Sequence, residues 1–393
     1  MPFSETGSIE HPLQRFFTAV RPQPTFQWER YQQRDVLVIN HEQCRAVFSR
    51  QGAQLLHFEP CGQKPWLWCA AQWPLVGAIR GGVPVSWPWV GRHPGESGWP
   101  ANGWGRLLDW KLVDSQEHAG GVTLHWQLKL WDWQADLYAE LGQGMDLRLT
   151  TRHQDSEVCH FGHGFHPYWR ISDVADVALQ GLEGTHGYDE LTRSACEHEG
   201  DLRILGSCQR VFEHAGVLEL RDDAWQRSLS IDTGDSDRTV VWHPGNRPLL
   251  GVGGEEAMGF LRVEAASGVD ECLSLAPGSA RHAEPASYVG PLSDVKSYSS
   301  ASTAKTVARL PANAGCQRGY LSLTPPHREQ AHSHRYFVRT ENSRSQPTRV
   351  GARSPANAGC QNGYICLTHR LASKLTPTGI LLVPKILDHA QPV

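Results

Sequence analysis

The residues with the clearest potential for chemistry lie in one run, residues 79–106, which reads IRGGVPVSWPWVGRHPGESGWPANGWGR. Arg80 and Arg106 bracket a stretch rich in glycine, proline and tryptophan. Proline removes backbone donors and glycine disfavours regular structure, so the run predicts a structured loop between strands. A guanidinium group suits a phosphate or carboxylate, and an indole ring suits the apolar face of a sugar. On these residues alone, a tryptophan-rich packing loop with solvated arginines is an equal alternative.

A histidine supplies the second candidate. His163 and His166 lie in the run FGHGFHPYWRISD, in a strand-like context. Imidazole titrates near neutral pH, with a reference pKa of about 6.5, so it can give a proton to a reacting oxygen and take it back. The pattern by itself favours a structural histidine, and the choice between these two residues stays open at this point.

A carboxylate is the third candidate. Glu264 lies in the alternating run FLRVEAAS, between Val263 and Ala265. Apolar neighbours desolvate a carboxylate and raise its pKa from about 4.3 toward the range that a general base needs. A solvent-facing strand carboxylate is the alternative. The nearby acidic residues that compete with it are Glu255, Glu256, Asp270 and Glu271.

The elements that position these residues are predicted to be strands. Apolar and polar residues alternate with a period of two over residues 108–112, 124–130, 145–149 and 229–231. Such alternation is typical of half-buried strands, and clusters of Gly, Asp and Pro between them indicate turns. No long amphipathic helix is evident. The sequence therefore predicts an all-β fold, a large antiparallel β-sandwich.

Composition narrows the class of protein. The 393 residues are 40% apolar and 20% charged, with a net charge of −4, which is ordinary for a globular protein and gives no indication of a nucleic-acid partner. No apolar leader or membrane-length run is found, and the ten cysteines form no C-x-x-C pair, which indicates reduced thiols and no zinc site. We therefore expect a cytoplasmic monomer with no membrane partner and no metal.

The chain divides by composition. Residues 291–393 contain 13 Lys and Arg against 4 Asp and Glu, a net charge of +9, which leaves residues 1–290 at −13. Residues 308–325 (ARLPANAGCQRGYLSLTP) recur as residues 352–369 (ARSPANAGCQNGYICLTH). Two copies are too few for a solenoid, and little apolar periodicity accompanies them. We predict a lead-in over residues 1–29, a β-sandwich domain over 30–290 and a largely irregular basic extension over 291–393. A basic docking tail is the less favoured alternative.

Several motifs together carry a family resemblance. Residues 79–91 nearly complete an I-R-G-G-[IV]-P-[VL]-x-[FW]-P-x-[FW]-G loop, and the run His166-Pro-Tyr-Trp169 is similar to a His-Thr-Tyr-Phe segment. Residues 260–264 (FLRVE) are similar to a Met-[IV]-Cys-[IVL]-Glu strand, and residues 273–278 (LSLAPG) to a Leu-x-Pro-Gly turn. From about residue 30 to about residue 288, the chain resembles the glucose-6-phosphate 1-epimerase branch of the aldose 1-epimerase family.

The resemblance implies a galactose-mutarotase-like supersandwich that interconverts the anomers of a hexose 6-phosphate. It implies His166 and Glu264 as the catalytic pair and Arg80 and Arg106 as phosphate ligands, with a small-molecule sugar phosphate as the partner and no cofactor. We expect the catalytic pair to lie a few ångströms beyond hydrogen-bond contact, with room for a sugar ring between the two side chains.

The chain departs from the resembled pattern at its polar sugar ligands. Ala101 and Asn102 stand where the family has Gln and His, and Gln209 is nearest to a ligand Asp. We retain Asn102 and Gln209 as candidate substrate-binding residues. Two alternative functions stay open, a catalytically silent sugar-phosphate-binding protein on the same fold and an aldose 1-epimerase that acts on unphosphorylated sugar.

Overall fold

A computed structural model describes residues 11–17, 24–93, 95–154, 156–234, 236–269, 272–276, 278–282 and 286–289. The predicted lead-in over residues 1–29 is described only in part. The predicted basic extension over residues 291–393 lies outside the described residues, and its irregular character stays a prediction.

Short antiparallel strands make up most of the described chain. They are β1 (Phe26–Tyr31), β2 (Arg34–Asn40), β3 (Cys44–Ser49), β4 (Gln54–Pro60), β5 (Val85–Ser86), β6 (Lys111–His118), β7 (Gly121–Leu130), β8 (Trp133–Leu141), β9 (Gly144–His153), β10 (Cys159–Phe161), β11 (His163–Phe165), β12 (Tyr168–Arg170), β13 (Val177–Gln180), β14 (His186–Asp189), β15 (Ser194–Glu197), β16 (Cys208–Phe212), β17 (Val217–Asp222), β18 (Arg227–Asp232), β19 (Arg238–His243), β20 (Phe260–Ser267), β21 (Leu273–Leu275), β22 (Ala280–His282) and β23 (Ala286–Val289). The helical elements are 3-10 turns at Gln14–Phe17 and Val174–Asp176 and a short α1 (Gly254–Met258).

Two large sheets dominate the architecture. One has nine strands in the order β13-β17-β18-β23-β9-β8-β7-β6, with β22 also paired to β9. The other has eight strands in the order β15-β14-β16-β19-β20-β11-β5, with β12 also paired to β20. Smaller sheets are formed by β1 to β4 and by β10 with β21. The all-β prediction is confirmed.

The hydrophobic core lies between the sheets. A single cluster of buried side chains contains Leu137 and Leu149 of the nine-stranded sheet, Val241 and Val263 of the eight-stranded sheet, and Phe58 of the four-stranded sheet. Burial of apolar surface from several sheets in one cluster is the defining feature of a sandwich. The β-sandwich prediction is therefore also confirmed.

The alternation of burial follows the predicted period of two. Strand β7 alternates buried and half-buried side chains along most of its length, and the predicted strands over residues 124–130, 145–149 and 229–231 fall inside β7, β9 and β18. The predicted strand over residues 108–112 is wrong in its first part. Strand β6 begins only at Lys111, so residues 108–110 lie outside it. Among these three residues, Asp109 forms an isolated bridge with Gln51.

Candidate active site

The candidate acid–base pair is assembled by strand pairing around β20. Strand β11 pairs with the end of β20, with Phe165 opposite Ala265, and β12 pairs with its beginning, with Tyr168 opposite Arg262. Residues 166 and 167 bridge the gap between these two ladders, beside residues 263 and 264. The His166 amide also donates to the carbonyl of Pro84 at 3.0 Å. The register of the sheet therefore brings His166 beside Glu264.

His166 and Glu264 are in direct contact. The Nδ1 atom of His166 lies 3.2 Å from Oε2 of Glu264, and only 6% and 3% of the two side chains are exposed. The expectation of a gap wide enough for a sugar ring between them is wrong. The two residues belong to adjacent segments of one sheet, and neighbouring strands are spaced about 4.8 Å apart, which leaves no room for a ring between facing side chains.

Arg262 is a third member of the site that the sequence prediction missed. Its Nη2 donates to Oε1 of Glu264 and lies 3.3 Å from Nδ1 of His166. The guanidinium lies over the rings of Trp242 and Tyr168, at 4.5 and 5.2 Å from their centroids. The available signal was spacing, because residues two apart on a strand point to the same face and Arg262 precedes Glu264 by two.

Ser86 is the other missed residue. Its Oγ lies 3.0 Å from Nε2 of His166, and its side chain is fully buried. Because an ionised carboxylate only accepts hydrogen bonds, the Nδ1 atom of His166 carries the proton in its contact with Oε2 of Glu264, and Nη2 of Arg262 donates to Oε1 of the same carboxylate. The Nε2 atom then accepts from the Ser86 hydroxyl. Both ring nitrogens of His166 are thereby fixed by protein groups.

Burial shifts the pKa values of the pair in opposite directions. Burial raises the pKa of Glu264, while the charges of Arg262 and Arg106 oppose that rise. Burial lowers the pKa of His166 well below its usual value, and the same two arginines lower it further. The two pKa values are thereby brought toward each other, and perturbed pKa values of this kind make the pair a candidate for proton transfer.

The two arginines that the sequence singled out have different surroundings. Arg106 is half-buried and its Nη2 donates to the carbonyl of Ala101 at 2.8 Å, while its buried Nε has no partner among the described residues. Burial lowers the pKa of Arg106, and the charges of Arg262 and Arg80 lower it further. Arg80 is also half-buried. The positive charge of Arg106 is therefore close enough to sense the other two guanidinium groups.

The remaining sequence candidates contribute less directly. Asn102 has a left-handed backbone (φ 62°), and its side-chain oxygen accepts a hydrogen bond from the Gly91 amide at 2.7 Å. This bond braces the loop. Gln209 pairs with Trp242, which pairs in turn with Arg262, so these three residues form one row across β16, β19 and β20. Their ligand roles stay predictions.

His163, the competing histidine, lies on the other face of the sheet. On β11 it pairs with Ser267 of β20, and it shares one face of the sheet with Phe165. Its side chain is 6% exposed, and burial lowers its pKa to about 4, with a smaller contribution from Arg281. Because alternate residues of a strand point to opposite faces, His163 is directed away from Glu264.

Two further findings concern metals and membranes. Within the described ranges, no group of three or more His, Cys, Asp or Glu side chains is placed to hold a metal ion. Across that same part of the chain, no helix is long and apolar enough to span a bilayer.

The sequence profile of aldose 1-epimerase matches residues 35–286. The chain belongs to the aldose 1-epimerase family. Relatives at 31% and 28% identity, each over 232 residues, are the proteins called "Putative glucose-6-phosphate 1-epimerase" of Escherichia coli (strain K12) and Salmonella typhimurium. Each alignment covers 56% of this chain and 76% of the relative. Interconversion of sugar anomers is the chemistry that this membership supports.

Solved structures agree on the fold of this epimerase-family chain. The structure of a "putative mutarotase (YeaD)" from Salmonella typhimurium superposes with a TM-score of 0.65 at 22% identity, covering 71% of this chain and 99% of the other. The Slr1438 protein from Synechocystis sp. PCC 6803 superposes with a TM-score of 0.57 at 15% identity, covering 69% and 99%. The predicted galactose-mutarotase-like supersandwich is thus confirmed as the fold.

Proposed function

We propose that the protein interconverts the α and β anomers of a hexose 6-phosphate, with Glu264 and His166 as the proton-transfer pair. The observation that carries this proposal is the buried contact between Nδ1 of His166 and Oε2 of Glu264, surrounded by the charges of Arg262 and Arg106. The names of the relatives support glucose 6-phosphate as the first substrate to test.

The reaction needs one proton on each side of the sugar ring. Glu264 takes the proton from the C1 hydroxyl, the bond between C1 and the ring oxygen breaks, and the protonated His166 gives its proton to the ring oxygen. The resulting aldehyde rotates about C1–C2. The ring then closes on the other carbonyl face as the hydroxyl returns its proton to His166 and Glu264 returns its proton to O1. At the end of the cycle, His166 is again protonated and Glu264 is again ionised.

This cycle requires His166 to be protonated while Glu264 is ionised. The low pKa of His166 disfavours that form in the protein alone. A phosphate ester brings about two negative charges near neutral pH. Negative charge close to an imidazole raises its pKa, so binding of a sugar phosphate favours the protonated histidine. The substrate itself thereby helps to prepare the acid.

Charge balance also favours a phosphorylated sugar over a neutral one. The charges that act on Arg106 are those of Arg80 and Arg262, which are positive, and of Glu264, which is negative when ionised. With His166 neutral, these groups leave an excess of about two positive charges, which one phosphate dianion matches. We assign Arg80 and Arg106 to the phosphate, with Asn102 and Gln209 toward the sugar hydroxyls.

The ligand assignment is tested by exchange NMR on glucose 6-phosphate and on glucose. Arg80→Ala should weaken the apparent affinity for glucose 6-phosphate about 10- to 100-fold, the effect of losing a charge-assisted hydrogen bond. Affinity for glucose should change little. Arg92→Ala, at an exposed arginine of the same loop, is the matched control and should leave both sugars unaffected. Equal loss for both sugars in Arg80→Ala would make Arg80 structural and favour an unphosphorylated substrate.

A second candidate function is binding of a sugar phosphate without catalysis. The observation that favours it is that Glu264 and His166 already have protein partners at both carboxylate oxygens and both ring nitrogens. A carboxylate retains further lone pairs for a sugar hydroxyl, so this observation does not exclude exchange. Binding of glucose 6-phosphate seen by 31P NMR, without faster anomer exchange, would select the silent function.

A further inference from the structure

We propose that Arg262 is a positioning residue of the proton-transfer pair, which holds the Glu264 carboxylate against His166 and keeps it ionised. The inference rests on the proposed function for its catalytic meaning. The contact that it assigns exists independently of any substrate.

The first support is the geometry of the guanidinium. Its Nη2 bonds Oε1 of Glu264, while Oε2 of the same carboxylate contacts His166. Arg262 therefore occupies one carboxylate oxygen and leaves the other directed at the imidazole. Loss of the guanidinium would free the Glu264 side chain to rotate about its terminal bonds, which have broad torsional minima.

The second support is the way in which Arg262 itself is fixed. Trp242 is its partner on β19 and Tyr168 is its partner on β12, so one aromatic ring comes from each neighbouring strand. The centroids of these rings lie 4.5 and 5.2 Å from the guanidinium carbon. Cation–π contacts on both sides hold the guanidinium in the row, and each is worth more when it is shielded from water.

The third support is the balance of charge around the carboxylate. The groups that face Glu264 are Arg262 on its own strand, His166 from the segment between β11 and β12, and Arg106 from the loop before β6, whereas its partner on β19 is the apolar Val240. A buried carboxylate stays ionised only where a cation or donors compensate it. Arg262 makes the direct hydrogen bond among these cations, so its removal should have the largest effect.

A purely structural Arg262 would behave differently from a positioning one. Loss of its aromatic contacts alone would lower stability and leave the ionisation of Glu264 unchanged. Loss of a charge that acts on the carboxylate would raise the pKa of Glu264 and move the acid limb of the exchange rate to higher pH. The ionisation of Glu264 therefore separates the two roles.

The test is a 13C NMR titration of glutamate-labelled full-length protein, with Glu264→Gln used to assign the Glu264 signal. Arg262→Gln should raise the pKa of Glu264 by about 1 or more, since a nearby opposite charge usually shifts a carboxyl by 1–3. Arg262→Lys keeps the positive charge and should therefore raise the pKa of Glu264 by less than Arg262→Gln does. Arg221→Gln, at a partly exposed arginine of β17 that bonds Asp223, is the control and should leave the Glu264 signal unchanged. An unchanged Glu264 titration in Arg262→Gln would overturn the proposal.

A measurement on the unmutated protein keeps the test valid if Arg262→Gln does not fold. The 15N signals of the Arg262 side chain should shift at the same pH as the 13C signal of Glu264, because the two groups share a hydrogen bond. If the 15N signals of Arg262 do not change over the pH range in which Glu264 titrates, the proposal is contradicted. Neither measurement needs a sugar, so a protein that proves unable to exchange anomers would refute the proposed function and still decide the role of Arg262.

Discussion

At the scale of single residues, two histidines three positions apart have different tasks. His166 contacts Glu264 and Ser86, whereas His163 is buried on the opposite face, with no partner for its Nδ1 among the described residues. Desolvation disfavours the charged form of both rings. Among the described residues, the charge that acts on His163 is that of Arg281, which further disfavours its protonated form.

The buried His163 should make the protein less stable in acid. Its pKa is about 4 in the folded chain and about 6.5 when unfolded, so the unfolded chain takes up the extra proton as the pH falls between these values. This linkage lowers the free energy of unfolding by about 2 kcal/mol between pH 7 and pH 5. His163→Phe should lose that part of the pH dependence, as measured by urea unfolding at both pH values. His186→Phe, at an exposed histidine of β14, should retain it, and identical behaviour of the two variants would refute the assignment.

The sequence predicted some of these residues and not others for a physical reason. His166 and Glu264 could be predicted because each lies in a motif with a recognisable spelling. Arg262 and Ser86 were missed because their importance depends on contacts between strands, and the register of those strands is set by the whole sheet. The sequence analysis predicted a gap between His166 and Glu264, and that prediction was wrong for the same reason.

At the scale of elements, the long loop between β5 and β6 connects the candidate residues to the sandwich. Gly103 forms an isolated parallel bridge with Trp87, and the Gly105 amide donates to the Trp87 carbonyl at 2.9 Å. Arg106 follows directly. The predicted loop over residues 79–106 is irregular along most of its length, but it contains the two-residue strand β5, which pairs with β11. The predicted strand over residues 108–112 was wrong at its start because alternating residues also occur in turns, where some of them pack inward.

Gly103 should be essential to this loop. Its backbone is left-handed (φ 73°), and an added Cβ would lie 2.1 Å from the Trp87 carbonyl oxygen. Gly103→Ala should lower the free energy of unfolding by about 1–3 kcal/mol and displace Arg106. Gly98→Ala, in the same loop with no heavy atom within 4 Å of its added Cβ, should change it by less than about 0.5 kcal/mol. Chemical denaturation measures the free energy of unfolding of both variants. Equal values for Gly103→Ala and Gly98→Ala would contradict a structural role for Gly103.

At the scale of the whole molecule, the family match and the described sheets cover nearly the same part of the chain. The match spans residues 35–286, and β23 at Ala286–Val289 pairs with both β9 and β18. The predicted domain boundary near residue 290 stays a prediction, because residues 290–393 lie outside the described ranges. The sharp change in charge at that boundary was visible from composition, whereas the role of residues 291–393 stays a prediction.

The central claim is that the chain is an anomerase whose chemistry depends on the pair formed by His166 and Glu264. Its most direct test is two-dimensional exchange NMR on glucose 6-phosphate with the full-length protein, with 31P NMR to confirm binding. We expect anomer exchange well above the buffer rate, slowed about 100-fold or more in Glu264→Gln and in His166→Ala while glucose 6-phosphate still binds. Exchange at the buffer rate in the unmutated protein, or full activity in either variant, would contradict the claim.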